Sequence, residues 1–271
     1  MIVQIGDRVK SIAKTLGIPK GQRSDRQPLL SHGTAAAVLA TGANLLRNEA
    51  LADKAGILGA TKILETLGLS SHHDFQKNWD TLKCLAHILG SVPQNASILD
   101  AGSGSRGVIL QWLYALGYRD LWACDRLAVN LSRFNSMGIR FSCQDLAQTT
   151  YEDNQFGAIA SVSVIEHGVD LQSFFKEMSR ILRPGGRLLI STDYWNDPID
   201  CSGIYPYGVE HGEMKIFTAK EAAAFIETAA RFGLQPTSDV DLKTSERAVR
   251  WNRVDRDYTF LFIAFEKQAA H

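Results

Sequence analysis

Apolar and polar positions follow two different rhythms along this chain, and the rhythm changes near residue 97. Before that point the apolar residues recur at helical spacing. Residues 1–16 place Ile2, Ile5, Val9, Ile12 and Leu16 between Asp7, Arg8, Lys10 and Lys14, the spacing of an amphipathic helix. Residues 17–33 are rich in Gly, Pro, Arg, Ser and Gln and read as a linker or loop. Residues 34–67 are rich in Ala and Leu, with Gly56 and Gly59 as expected breaks, and predict two or three short helices. A further helix is predicted from 74 to 89, with Phe75, Trp79, Leu82, Leu85 and Leu89 as its apolar stripe.

After residue 97, short apolar runs alternate with helical patterns. Strands are predicted at 97–100, 121–125, 139–143, 158–164 and 187–192, with helices at 108–113, 170–182 and 218–232. Such alternation specifies an α/β fold, a mostly parallel sheet covered by helices on both faces. A weak strand near 238–242 and a long one at 258–266 close the chain. The expected division is a helical cap or subunit-contact segment over 1–73, followed by one domain over 74–271.

Composition narrows the function classes. Of 271 residues, 45% are hydrophobic and 21% charged, and 29 basic side chains balance 29 acidic ones, so a polyanion such as nucleic acid is not an expected partner. Cys84, Cys124, Cys143 and Cys201 are widely spaced and form no C-x-x-C pair, which favours reduced thiols and a cytoplasmic setting. The apolar run at 35–40 ends at Gly42, Asn44 and Arg47, short of a membrane span of roughly 20 residues. No signal peptide or membrane association is expected.

The most informative stretch runs from Ile98 to Gly107, Ile-Leu-Asp-Ala-Gly-Ser-Gly-Ser-Arg-Gly. A strand, then Gly102, Gly104 and Gly107, then a helix is the geometry of a nucleotide site, because glycine lets backbone approach a ligand closely. NAD, FAD and S-adenosylmethionine (SAM) sites all use it. Asp100 separates them: its carboxylate faces the loop, where a dinucleotide would set a doubly negative pyrophosphate. SAM carries no phosphate and brings an ammonium and a sulfonium.

Asp125 closes the second strand and Asp145 the third, at the sheet end where open α/β folds bind ligands. An ionised carboxylate at Asp125, with Arg126 beside it, can accept both hydroxyls of a ribose. Further on stand Val164-Ile165-Glu166-His167 and Leu182-Arg183-Pro184-Gly185-Gly186. With these motifs, residues from about 75 to 267 resemble the class I SAM-dependent methyltransferases, and V-I-E-H resembles the small-molecule branch that includes quinone-precursor O-methyltransferases.

The resemblance implies a Rossmann-like seven-stranded sheet of order 3-2-1-4-5-7-6 and SAM as cofactor. Asp100, Gly102, Ser103, Gly104, Asp125, Arg126, Asp145, Leu146 and Ser163 would hold it, with Asp145 and the Leu146 N–H on the adenine. The Asn-Pro-Pro-aromatic stretch of nucleobase amino-methylating relatives is absent. Some quinone-type relatives carry a metal-binding Glu three residues before the E-H pair; that position here is Ser163, and no metal is assigned.

Methyl transfer to a hydroxyl requires alignment and a base. His167 follows the fourth strand and is one candidate, or a residue that packs beside the cofactor; His211 is a second, or an exposed loop histidine. The aromatic and polar segment 193–211 is long enough to form a substrate lid. Arg247, Arg250, Arg253 and Arg256 recur every three residues. On a helix they would share a broad face, gripping an acidic acceptor or forming an ion-paired surface with Glu246, Asp255 and Asp257. The expected function is methyl transfer from SAM to a small-molecule acceptor, with oxygen favoured and a homodimer compatible. A non-catalytic protein of the same fold, and an NAD(P)-dependent oxidoreductase, are the alternatives.

Overall fold

The structure is a computed structural model that describes residues 30, 32–40, 42, 44–127 and 131–269. The helix expected at 1–16, and nearly all of the linker expected at 17–33, lie outside the described residues. Seven α-helices are described: α1 (His32–Ala40), α2 (Lys54–Thr66), α3 (Asn78–Ser91), α4 (Val108–Ala115), α5 (Ser132–Met137), α6 (Leu171–Ile181) and α7 (Ala219–Arg231). The strands are β1 (Asn48–Ala50), β2 (Ile98–Ala101), β3 (Leu121–Asp125), β4 (Arg140–Cys143), β5 (Phe156–Val162), β6 (Leu182–Tyr194), β7 (Leu234–Pro236), β8 (Val240–Asp241), β9 (Val249–Trp251) and β10 (Arg256–Lys267).

The strands join in the order β4-β3-β2-β5-β6-β10-β1-β8, with β7 and β9 also paired to β10. From β4 to β6 the pairing is parallel; β10 runs antiparallel to β6, from Thr259 opposite Tyr194 to Glu266 opposite Arg187. With β2 to β6 as strands one to five, β7 as six and β10 as seven, the sheet has the expected 3-2-1-4-5-7-6 order. It is wider than the expected seven strands by β1, β8 and β9.

Side chains alternate across the sheet as a pleated strand requires. Phe260, Phe262 and Ala264 join one apolar layer with Leu82, Leu85, Ile88, Leu110 and Leu113 of α3 and α4. Leu261, Ile263 and Phe265 join the other, with Phe174, Phe175, Met178 and Phe225 of α6 and α7. Because both faces of β2 are covered, all four of its residues are buried, as in a central parallel strand. Local signals set the helix starts: the Asp170 side chain accepts from Ser173 N, and Thr218 with Glu221 forms a reciprocal capping box.

Five local expectations are corrected. Residues 34–67 are not helical throughout: Asn48–Ala50 forms β1, antiparallel to β10 at Glu49–Phe262 and Ala50–Leu261. Gly56 and Gly59 do not break the chain but lie inside α2, whose start is fixed by the Asp53 side chain accepting from Gly56 N. The strand beside the end of β10 is Leu234–Pro236, whereas Val240–Asp241 pairs with β1. Leu234 is fully buried while Asp239 and Asp241 are exposed, so the apolar residue takes the inner place. Arg250, Arg253 and Arg256 lie on the β9–β10 hairpin, with Arg247 just before it, rather than on a helix, and Phe75 is exposed instead of joining the apolar stripe of α3. Among the described residues no helix is long and apolar enough to cross a membrane.

Candidate active site

The carboxyl ends of β2, β3, β4 and β5 open onto a cavity of about 530 Å³, within the range of roughly 300–1,000 Å³ common for small-molecule sites. One end is built by the turns after β2, β3 and β4, and the other by the turn after β5 and the segment after β6. Gly102, Gly104, Asp125, Arg126, Asp145, Leu146, Ser163, His167 and His211 all reach its wall. The topology brings them together, since parallel strands point their C-terminal ends the same way.

At the first end, Gly102 N and Ser103 N both donate to Cys124 O at 2.8 and 3.0 Å, which clamps the glycine turn onto β3. Gly102 has φ of 83°, and a Cβ there would meet Val164 Cγ2 at 2.3 Å. Only glycine combines that backbone with that closeness. Asp125 ties two turns together: Gly104 N donates to Oδ2 at 2.9 Å and Leu127 N to Oδ1 at 3.0 Å. Two oxygens with about four acceptor positions leave capacity for a further pair of donors.

Asp145 accepts from Ala147 N at 3.0 Å and lies 3.6 Å from the Arg126 guanidinium. That pair is exposed and contributes little to stability; it borders the cavity beside the buried Leu146. Two predicted residues stand behind the wall. Asp100 is buried under the loop, and its carboxyl is pushed up to about 7 by burial and then by the neighbouring Asp125 charge. The Ser103 hydroxyl turns back to Gly104 O at 3.1 Å.

At the second end, Ser163 adopts φ of 54° and donates its N–H to Ser191 O at 2.8 Å. Its hydroxyl accepts a hydrogen bond from Lys77 Nζ. His167 packs edge-on against Tyr207 and Trp251, with ring centroids 4.9 and 5.9 Å away. Its Nδ1 is buried with no hydrogen-bond partner among the described residues. Burial holds the imidazole below its ordinary value of 6.5, against the pull of Glu166, so the neutral base prevails at pH 7. His211 lies 3.5 Å from Glu210 and comes to the cavity on the segment after β6.

That segment is secured at several points. Lys215 N donates to Glu166 O at 2.8 Å, and Met214 bridges His167 in antiparallel fashion. Gly168 and Gly212 cross so closely that a Cβ on Gly212 would meet Gly168 Cα at 2.6 Å. The arginine series does not converge on the cavity as a ligand grip. Arg250 pairs with Asp257 at 2.8 Å and with Asp255, Arg256 donates to Asp200 O at 2.7 Å, and Arg247 lies over Trp195.

Sequence reasoning missed Lys77, Val164 and Trp251. Val164 carried the nearest signal, since it begins the V-I-E-H stretch; Lys77 and Trp251 carried none, being brought in from distant segments.

Comparisons with known proteins bear on the fold that carries this cavity. Residues 99–190 match the methyltransferase domain family. A ubiquinone biosynthesis O-methyltransferase of Coxiella burnetii is 30% identical over 66 residues, 24% of this chain and 28% of that protein. The chain thus matches less than a third of the length of that curated relative. Among solved structures, a protein assigned as a sarcosine dimethylglycine methyltransferase from Galdieria sulphuraria has a TM-score of 0.55 at 16% identity, covering 87% of this chain and 98% of that one. The geranyl diphosphate C-methyltransferase of Streptomyces coelicolor has a TM-score of 0.51 at 17% identity, covering 89% and 100%. Residues 99–190 thus resemble the methyltransferase domain family, and the chain shares the fold of these methyltransferases.

Proposed function

We propose that the chain transfers the methyl group of SAM to a small-molecule acceptor, with a hydroxyl oxygen as the receiving atom. The observation that carries this reading is one cavity with two chemically different ends: Asp125 and the Asp145–Leu146 turn at one, His167 and His211 at the other. The residues present fit the cofactor. Asp125 offers acceptors toward a ribose, Gly104 has open space where a side chain would stand, and the Asp125 and Asp145 carboxylates on the wall oppose a pyrophosphate. SAM, when bound, supplies a methyl group already activated on a sulfonium.

The rest falls to the chain's own residues. Asp125, Arg126, Asp145 and Leu146 hold and orient the cofactor's nucleoside end, while Asp100, Ser103 and Ser163 shape the turns around it. The His167 imidazole, on the cavity wall, takes the acceptor's proton, its neutral state being maintained by burial. Tyr207 and His211 wall the acceptor end, Trp251 packs against His167, and the contacts of Met214 and Lys215 with the turn after β5 keep water from the transfer. His211 is a second base within the same cavity. Residues 1–73 would cap the acceptor or make a subunit contact, as in a homodimer. Four free thiols suit the cytoplasm, and the balanced charge gives nucleic acid no broad basic surface.

The test is turnover with methyl-labelled SAM against a panel of small hydroxyl, amine and carbon-nucleophile acceptors, following label and S-adenosylhomocysteine together. The reading predicts labelled product from hydroxyl acceptors with stoichiometric S-adenosylhomocysteine. Label transferred only to amines would overturn oxygen as the acceptor atom.

A further inference from the structure

Lys77 lies on a short 3₁₀ turn (Phe75–Lys77) at the start of α3, outside the residues matched to the methyltransferase domain. Its ammonium enters a group of acids beneath the acceptor end of the cavity. Asp80, Glu166 and Asp193 are all at most 2% exposed. Asp80 accepts from Ser191 Oγ at 2.7 Å and Glu166 from Thr192 Oγ1 at 2.9 Å, while Tyr258 hydrogen-bonds Asp193. Glu166 Oε1 has no hydrogen-bond partner among the described residues. Burial pushes Asp80 up to about 6 and raises Asp193 strongly, and the lysine's charge pulls both back toward the ionised form; burying charge without such compensation is costly. The lysine also donates to Ser163 Oγ, at a cavity residue whose left-handed backbone is unfavourable for a side chain other than glycine.

We propose that Lys77 is a positioning residue for the active site: its ammonium, set over the Phe260 ring in the field of the buried Asp80, Glu166 and Asp193, fixes Ser163 and with it the turn that sets Val164 against Gly102 and His167 on the cavity wall. The N-terminal part of the chain thereby controls the order of the catalytic turn, although it contributes no atom to the transfer. The proposal rests on the cavity being a SAM site, so its test has a second readout that needs no ligand.

Lys77→Met keeps a similar length and removes the charge. The variant should bind SAM about tenfold or more weakly at pH 8, and backbone amide exchange at residues 162–168 should quicken in the unliganded protein. The groups facing the ammonium are Asp74 and Asp80 on its own segment, His72 and His73 just before it, Glu166 and His167 after β5, Asp193 at the end of β6, and Tyr207. Without it the buried acids must take up protons, so the variant's binding defect should shrink from pH 8 to pH 6. A lysine that merely filled volume would give no such pH profile.

Adding Ser163→Ala should weaken Lys77→Met no further, because both changes break one contact. Should the single variant fail to fold, Lys77→Met with Asp80→Asn removes a charge of each sign and should still show weak binding and fast exchange. Wild-type SAM affinity with wild-type exchange at pH 8, or full additivity with Ser163→Ala, would overturn the proposal. Absence of SAM binding by the wild type would instead overturn the cofactor reading. Exchange at 162–168 then decides alone, with faster exchange in the variant supporting the role of Lys77 and unchanged exchange sinking it.

Discussion

The two ends of the cavity are built in opposite ways. The Gly102–Asp125–Asp145 end comes from three successive strand ends, each shaped by a few neighbouring residues: backbone N–H groups of Gly104, Leu127 and Ala147 bond carboxylates close by. The Ser163–His167 end is assembled from remote pieces. Lys77, the turn after β5, Tyr207, Met214 and Trp251 come together across distances of up to 174 residues, as in the Gln76 contact to Arg250. The first end can therefore be conserved in shape by local geometry, whereas the second depends on the whole fold and is free to vary with the acceptor.

Substitutions at the two ends should separate binding from chemistry. The largest effect is expected at the assembled end. His167→Ala should lower kcat by about 10²–10⁴-fold while leaving SAM affinity near wild type. A loss confined to KM would place His167 in packing instead. The local end responds through shape: Gly102→Ala forces a Cβ onto Val164 in a backbone with positive φ, a clash and strain of about 2–4 kcal/mol. Thermal unfolding with and without SAM should show both a lower Tm and a smaller ligand-induced rise.

Asp125→Ala should weaken SAM binding by roughly 1.5–3 kcal/mol, the loss of hydrogen bonds to a charged acceptor, with kcat at saturating SAM little changed. The pH profile sharpens the contrast further. Burial lowers the His167 value below 6.5, so the acidic limb of kcat/KM should fall below pH 6.5; a limb above that value would point to another base.

The smallest expected effect concerns Asp100. Its carboxyl is raised to about 7, so the folded state holds the proton more tightly than the unfolded chain. Stability from this group is present below about pH 4 and is lost as pH rises toward 7. Asp100→Asn should therefore raise the Tm of the unliganded protein at pH 8, on the order of 1–3 kcal/mol in stability, and flatten its dependence between pH 4 and 7.

What the sequence makes legible follows the same division. The parallel core could be read because its inner strands β2 and β5 are apolar runs buried almost throughout, and each ligand-end acid stands at or near the end of its own strand. Local rules also identify the ends of α6 and α7, through Asp170 and the Thr218–Glu221 box. Long-range pairing has no such signal. Nothing in Asn48-Glu49-Ala50 announces a strand, because its pairing depends on β10, more than 200 residues away. The arginine spacing suggested a helix face, but the turn at Asp255, with φ of 55°, makes it a hairpin bound to the segment after β6. Lys77 was hidden for the same reason: its meaning comes from Ser163, Glu166 and Asp193, none of them near it in sequence.

The central claim is that the local end is a SAM site. Calorimetric titration of the wild type and Asp125→Ala with SAM, S-adenosylhomocysteine and NAD(H) tests it most directly. The account predicts micromolar binding of both adenosyl ligands to the wild type, weaker binding to the variant, and no response to NAD(H). Binding of NAD(H) alone would contradict the reading of Asp100 and the glycine loop, and SAM affinity unchanged in a folded Asp125→Ala would contradict the role of Asp125.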